Sequence, residues 1–211
     1  MTPCSINLVT YVSSAFKYLV KYDGKTIKTT VTNQGAVAEE WVSEILLVHS
    51  DNKNHVVGLD IKWDDSPDEL VRNKCSVLLL CIETKCLILQ LLYMDTIPET
   101  IKSFLMNSKF TFMGVNEDMS KLVSEYGLHC ANTEDIRMIV TKRWLVQFGQ
   151  HDLEYLVDGM FTLEIKKPGN DERLNKWAAR VLNEKQVLYA CNLAYVSYKI
   201  AHTIIVDKVR H

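Results

Sequence analysis

Three short apolar segments in the first half of the chain constrain its fold more than any other feature. They cover residues 55–63, 76–81 and 86–91, and the last two flank a short turn at residues 83–85. Apolar runs of this length bounded by turn residues are typical of β-strands. Within the first segment, the uninterrupted apolar run stops at the charged residue Asp60. These segments predict three strands, of which the last two form a hairpin.

The remaining sequence patterns place this hairpin in a larger mixed sheet. Residues 15–32 alternate around an Asp-Gly pair, which predicts another hairpin. An apolar run predicts a strand at 110–115, and helical spacing or helix-end signals predict helices at 36–49, 98–106, 118–126 and 184–206. The other residues after 126 have a mostly helical pattern, with a loop at 166–170. We therefore predict an α/β domain whose mixed β-sheet is flanked by α-helices.

Length and charge limit the classes of protein that fit. The 211 residues suit one domain, residues 1–211, with residues 1–14 expected to be a flexible N-terminal segment. The formal net charge of -2 lacks the basic excess of a dedicated nucleic-acid binder. A local basic cluster is formed by Lys17, Lys21, Lys25 and Lys28. Lysines solvated on a polar face are a simpler interpretation of this cluster than contacts with the phosphates of a nucleic acid.

The six cysteines and the apolar runs indicate a compartment. No cysteine belongs to a C-x-x-C pair, and most lie inside apolar runs, as expected for buried free thiols under reducing conditions. No apolar stretch approaches the roughly 20 residues of a membrane span, and the N-terminus lacks the pattern of a secretory signal. We expect a location in the nucleus or cytoplasm and no membrane association.

Three residues lie where the reactive groups of such a sheet belong, at strand ends and on the helices above them. Asp60 ends a strand, Asp118 begins a predicted helix, and Tyr189 lies on the last helix. Each has a structural explanation when taken alone. Asp60 could be a polar residue where a strand reaches the surface, and Asp118 an acid that is favourable in the first turn of a helix. Tyr189 could be an aromatic residue of the core. Their order along the chain makes them candidates for a catalytic set.

Several longer motifs accompany these three residues. They are TVTNQGAVAEEWV, VVGLDIKW, CLILQLL followed by IPETIKSFL, FTFMGVNEDMSKL with YGL, and KWAARVLNEKQVLYACNLAYVSYKI. In this order they resemble the 3′-5′ exonucleases of the DEDD class, tyrosine subtype, and among these the Werner syndrome type, including its stand-alone plant members. The resemblance covers residues 18–205. It implies a ribonuclease H-like fold and hydrolysis of phosphodiester bonds with Mg²⁺ or Mn²⁺.

The resemblance also implies four metal-binding acids, of which this chain keeps two. Asp60 and Asp118 are retained, the latter after a connection that is about two residues shorter than usual. Lys62 replaces a glutamate, and Leu193 replaces the final acid, one helical turn after Tyr189. The tyrosine, which in the family orients the attacking water, is kept. We therefore expect a degenerate active site, with Asp60 and Asp118 as metal ligands of little or no strength.

Simple electrostatics explains why the replacements matter. Residues two apart in a strand share a face, so Asp60 and Lys62 point the same way, and the ammonium adds positive charge where a cation should bind. Hard cations such as Mg²⁺ need oxygen ligands, so we expect no bound cofactor unless the residual site still binds Mg²⁺ or Mn²⁺. Glu117 or Asn192 could substitute as ligands, whereas Asp64 is too far along the strand.

Three functional hypotheses follow. The first is a pseudo-exonuclease with lost or strongly reduced hydrolysis, which binds a protein partner or, weakly, nucleic acid. The second is an active exonuclease on DNA or RNA with an altered metal site formed by Asp60, Asp118, Tyr189 and Glu117. The third is a protein-interaction module without affinity for nucleic acid, which the net charge permits. Homo-oligomers also occur in the family.

Overall fold

The computed structural model describes residues 4–12, 15–51, 54–63, 74–114, 116–144 and 176–205. For residues 11–12, 116–118 and 141–144 the description covers the backbone only. The predicted loop at 166–170 and Asp64 lie outside the described residues. None of the described helices is both long and apolar enough to cross a membrane.

The described residues form eight strands, five helices and one 3₁₀ turn. The strands are β1 (Ser5–Val12), β2 (Ala15–Tyr22), β3 (Lys25–Thr32), β4 (His55–Trp63), β5 (Cys75–Ile82), β6 (Lys85–Leu89), β7 (Phe110–Gly114) and β8 (Thr133–Asp135). The helices are α1 (Gly35–Val48), α2 (Glu99–Leu105), α3 (Asn116–Tyr126), α4 (Ile136–Trp144) and α5 (Glu184–Ile205), with the 3₁₀ turn at Leu91–Tyr93.

All eight strands belong to one mixed sheet in the order β1-β2-β3-β6-β5-β4-β7-β8. The pairs β1–β2, β2–β3, β6–β5 and β5–β4 are antiparallel, whereas β3–β6, β4–β7 and β7–β8 are parallel. This arrangement confirms the predicted mixed sheet, with helices on both faces. The predicted strands and helices are also present, most of them within one or two residues of the expected ends.

Two strands at the edges of the sheet differ from the sequence-based expectation. Within the segment 1–14, for which we expected flexibility, residues 5–12 form β1 and pair with β2 from Ser5 to Val12. The second is β8, which lies in the region expected to be mostly helical and pairs in parallel with the end of β7. Each of these strands depends on pairing with one neighbouring strand, which the local sequence pattern does not reveal.

The sheet separates two apolar cores. One lies between the sheet and α5, and it includes Val77 and Leu79 of the central strand β5. The other lies under α1 and α2, and it includes Leu59 and Ile61 of β4. Because side chains alternate between the faces of a strand, the residues of β4 next to Leu59 and Ile61 face α5.

Helix α5 also fixes the turn between β2 and β3. Both turn residues have positive φ, 51° at Asp23 and 67° at Gly24, as a two-residue type I′ hairpin requires. The carboxylate of Asp23 accepts a hydrogen bond from the Tyr195 hydroxyl at 3.1 Å and forms an ion pair with Lys199. The outer hairpin is therefore attached to α5 at its tip.

Candidate active site

The candidate site begins with two charged residues of β4 that face α5. Asp60 pairs with Leu79 and Lys62 with Val77, and both partners belong to the core under α5. The side chains of Asp60 and Lys62 are 13% and 21% exposed. The strand alternation therefore puts a carboxylate and an ammonium side by side at the margin of an apolar core, as the sequence predicts.

These two groups form a direct ion pair. Lys62 Nζ lies 2.7 Å from Asp60 Oδ2. The contact has the distance of an ion pair without the alignment of a hydrogen bond, and the Oδ2 atom is shielded from solvent. At this depth an unpaired charge would be costly, and the Lys62 ammonium is the partner that the structure places against Asp60.

The position of α5 over this pair depends on Gly58. A Cβ atom at Gly58 would lie 2.0 Å from the carbonyl oxygen of Ala194 and 2.5 Å from the backbone nitrogen of Tyr198. The helix backbone therefore rests directly on β4. From Ala194 back to Tyr189 the helix rises about 7.5 Å, and two strand residues from Gly58 to Asp60 span about 6.6 Å. This crossing brings Tyr189 over the charged pair.

Tyr189 is the third predicted catalytic residue, and the structure brings it to the same place. Its ring centroid lies 5.6 Å from Lys62 Nζ, within the range of a cation–π interaction. The side chain is only 7% exposed, and Trp177 packs against it with a centroid separation of 6.2 Å. Lys62 thus bridges Asp60 and Tyr189.

The loop before α5 is anchored so that Trp177 covers Tyr189. The side-chain amide of Gln90 donates to the carbonyl oxygens of Ala179 and Arg180 at 3.0 and 3.2 Å. The amide of Gln186 donates to the Lys176 carbonyl at 3.0 Å. Buried amides with satisfied donors hold a loop in one conformation. Sequence reasoning missed this set, because its members are far apart in the chain.

The last helix contributes no acid to the described site. Leu193, at the position where the resemblance implies a carboxylate, is 2% exposed and belongs to the core under α5. Asn192, proposed above as a substitute ligand, donates from its side-chain amide to Cys4 Sγ at 3.4 Å. The amide nitrogen therefore contacts the residue before β1, whereas the Oδ1 atom is buried without a hydrogen-bond partner among the described residues.

The backbone near Asp118 approaches the same region. A Cβ atom at Gly114, the last residue of β7, would lie 2.8 Å from the carbonyl oxygen of Leu59. The end of β7 is therefore next to the residue before Asp60. Asp118 lies in the first part of α3, which starts two residues after Gly114. The side chains of Asp118 and Glu117 are outside the described set, so their role remains the one predicted from sequence.

The described side chains do not fit a divalent cation. A cation bound to Asp60 Oδ2 would have to displace the Lys62 ammonium, and Leu193 offers carbon where oxygen is needed. Among the described residues, no group of three or more His, Cys, Asp or Glu side chains could hold a metal ion.

Gly58 is the other feature that sequence reasoning missed. An isolated glycine inside an apolar strand signals a close approach of another backbone. Such a signal was available in HVVGLDIKW, and it would have predicted the helix crossing.

The arrangement of strands and helices is that of the ribonuclease H-like 3′-5′ exonucleases. The domain is similar to RNase D from Escherichia coli, with a TM-score of 0.66, 13% identity, and coverage of 85% of this chain and 45% of that chain. It is also similar to the EXO domain of Nibbler from Aedes aegypti, with a TM-score of 0.67, 12% identity, and coverage of 85% and 88%. At these identities the likeness establishes the fold.

The sequence itself establishes the family. The 3′-5′ exonuclease profile matches residues 32–207, and the chain belongs to this family. A curated 3′-5′ exonuclease from Arabidopsis thaliana is 25% identical over 153 residues, which are 68% of this chain and 50% of that protein. The chain thus spans about half the length of the curated relative it matches.

Proposed function

We propose that the protein is a pseudo-exonuclease, in which the exonuclease fold is kept while metal-dependent hydrolysis is lost or strongly reduced. The observation that carries this proposal is the 2.7 Å ion pair between Lys62 and Asp60. In metal-dependent hydrolysis, cations clamp the attacking and leaving oxygens. Asp60 is the first carboxylate available for such a cation, and it already has a positive partner.

The size of the electrostatic effect supports the proposal. A divalent ion about 4 Å from the Lys62 ammonium would be repelled by about 8 kcal/mol at an effective dielectric constant of 20. Solvent reduces this value, because the Lys62 side chain is 21% exposed. At the same dielectric constant the attraction of the ion to the Asp60 carboxylate has the same order of magnitude, so the ammonium offsets much of what Asp60 offers the ion. Leu193 stands where the resemblance implies a carboxylate, so this position provides no negative charge to offset the repulsion.

The central experiment measures cation binding and trimming in the same variants. Manganese is titrated into the wild-type protein, Lys62→Glu, Leu193→Asp and the double variant by calorimetry, and each protein is then incubated with a labelled 3′-recessed duplex. We expect no binding heat and no trimming for the wild type, with metal binding appearing in the double variant. Leu193→Asn is the matched control, since it adds polarity without charge.

The wild-type protein decides the outcome. Stepwise shortening of the 3′ end, with manganese bound at micromolar concentration, would overturn the proposal. Thermal melting with manganese or EDTA gives an independent readout, because a ligand that binds only the folded state raises its stability by about 2.7 kcal/mol at a hundredfold excess over Kd. We expect the melting temperature of the wild type to be the same in both.

A second candidate is an active exonuclease with an altered site. It is favoured by one observation, the retention of Tyr189 directly beside Asp60 and Lys62. Such an enzyme would use Asp60, Asp118, Tyr189 and Glu117. Substitution Asp60→Ala would then abolish cleavage of DNA or RNA, whereas a pseudo-exonuclease has no cleavage to lose.

The partner of a pseudo-exonuclease is either nucleic acid or another protein, including a second copy of this chain. An electrophoretic shift at low salt separates these alternatives, because contacts with phosphates weaken steeply as salt rises. Light scattering tests for a homo-oligomer. The expected nuclear or cytoplasmic location, inferred from the free thiols, belongs to this proposal and is tested by imaging the tagged protein.

A further inference from the structure

The outer hairpin of the sheet presents a basic face on the side away from α5. Apart from Lys25 next to the turn, the side chains of β2 and β3 that face α5 are buried or half-buried, among them Val20 and Ile27. Alternate residues of the same strands point the other way, and Lys17, Lys21 and Lys28 are exposed there. The alternation that builds the core under α5 thus collects three of the four lysines in the N-terminal cluster on one surface.

We call this surface the lysine face. Its described side chains that are at least partly exposed, on β1, β2 and β3, share one side of the sheet by their pairing and are Ser5, Asn7, Thr10, Lys17, Leu19, Lys21, Thr26, Lys28 and Thr30. Ala15 and Thr32 lie on the same side but are buried. Lys25 pairs with Tyr22 and points to the α5 side, so it is excluded. The lysine face contains three positive charges, five polar side chains and one apolar residue.

The three ammonium groups are regularly spaced. Lys28 pairs directly with Leu19, which lies midway between Lys17 and Lys21 on the neighbouring strand. Lys28 is therefore the diagonal neighbour of both, at about 7–8 Å between positions. Among the residues that the structure describes, none of the three lysines takes part in an ion pair.

Two carboxylates close to this face in the described chain already have partners. Asp23, in the hairpin turn, is held by Tyr195 and Lys199 of α5. Glu44 of α1 pairs with Lys85, which is the direct neighbour of Lys28 on β6. The positive charge of the lysine face is thus concentrated locally, although the formal net charge of the chain is -2.

We infer that the lysine face binds the phosphate backbone of a nucleic acid, without a metal ion and away from Asp60. Phosphate contacts by lysine and by small polar side chains position a strand but carry no sequence information. The described side chains of the face include no aromatic ring on which a base could stack. Binding should therefore be independent of sequence and strongly dependent on salt.

Other polyanions fit this surface less well. An anionic membrane is bound best by a surface that also inserts apolar side chains, and Leu19 is the one apolar member described on this face. An acidic peptide offers carboxylates at irregular spacing, whereas the lysines repeat along paired strands. The inference goes beyond the proposed function, since it holds whether or not the remnant site cleaves.

The test measures binding of a labelled single-stranded oligonucleotide by fluorescence anisotropy, in EDTA, across a salt series. The wild type is compared with the triple variant Lys17→Gln, Lys21→Gln, Lys28→Gln. Because each phosphate contact with a single strand contributes about 0.7 to the slope of log K against log salt, losing three should reduce the slope by about 2. We expect affinity to fall by about tenfold or more at about 50 mM salt.

Two matched variants control for net charge and for chemistry. Lys74→Gln, Lys102→Gln, Lys109→Gln removes the same charge from other elements, and we expect it to keep the wild-type slope. A triple Lys→Arg variant at positions 17, 21 and 28 should keep wild-type affinity. Circular dichroism confirms that each variant folds.

Three outcomes would overturn the inference: equal weakening in the two Gln variants, no weakening in either, or binding to anionic vesicles or poly-glutamate but not to the oligonucleotide. Because EDTA is present throughout, these outcomes are independent of the trimming experiment. A wild type that trims 3′ ends would overturn the proposed function and leave the lysine face intact.

Discussion

The carbonyl oxygen of Ala194 lies so close to Gly58 that a Cβ atom there would be 2.0 Å away from it. The carbonyl oxygen is a backbone atom, and the position of the added Cβ atom would be fixed by the backbone of residue 58. Neither atom can therefore move aside as the end of a flexible side chain could. This contact sets the height of α5 above β4, and through it the position of Tyr189 over Asp60 and Lys62.

Substitution Gly58→Ala should therefore destabilise the fold by about 3 kcal/mol, at the upper end of the usual cost of overpacking. Urea denaturation followed by circular dichroism measures the change. Gly127→Ala is the comparison, since Gly127 has a φ of +64° but no atom within 4 Å of its added Cβ. It should cost about 1 kcal/mol through backbone strain. Equal costs at the two glycines would contradict the close contact.

The Lys62–Asp60 ion pair should appear in a double-mutant cycle. We expect Lys62→Met to lower the free energy of unfolding by about 1–2 kcal/mol, less than a fully buried pair would lose, because both side chains are partly exposed. In the Asp60→Asn background the same substitution should cost little, giving a coupling energy of about 1 kcal/mol. Additive effects of the two substitutions would show that the pair contributes nothing to stability.

His49 should make stability depend on pH. Burial lowers the pKa of His49 below its ordinary value of 6.5, and the neighbouring His55, with a ring centroid 4.5 Å away, lowers it further, against the opposing effect of Glu83 and Asp51. Because the folded pKa is lower, the unfolded chain binds more protons between the two values. Stability is therefore complete above pH 6.5 and falls as the pH drops toward the folded pKa, by up to about 1.4 kcal/mol per pH unit.

Urea midpoints measured from about pH 7.5 to about pH 5 test this prediction. The His49→Gln variant should show a flatter profile than the wild type. Substitution of the exposed His129, between α3 and β8, is the matched control. Equal flattening in both variants would argue against a special role for the His49 environment.

The thiols should react in an order set by burial. Cys4 is exposed, Cys130 is intermediate and the others are buried, all as free thiols. Burial raises the pKa of Cys130 to about 12 and that of Cys191 well above the ordinary thiol range, which suppresses the reactive thiolate. Iodoacetamide should add once to the native protein, at Cys4, and six times after unfolding. Rapid native labelling of Cys191, detected by mass spectrometry, would contradict this order.

The central sheet was predictable because its strands are specified locally. The apolar runs around Leu79 and Ile88 gave the strands, and the alternation of β4 gave the common direction of Asp60 and Lys62. The same alternation could have separated Lys25 from the three lysines that share a face. These predictions need only the two-residue period of a strand.

The features that escaped prediction depend on contacts between distant segments. Gln90 binds the loop at Ala179, and Trp177 packs on Tyr189 only because that loop is held there. The pairing of β1 with β2 and of β8 with β7 likewise depends on a neighbouring strand. No local period encodes such contacts, since each depends on a second segment whose position the local pattern does not specify.

A counter-charge that belongs to the polypeptide cannot dissociate. The ammonium beside Asp60 belongs to Lys62, two residues further along the same strand. Neither dilution nor a low concentration of divalent ions therefore removes it from Asp60. The architecture around it would then be equally ordered in metal-poor and metal-rich surroundings.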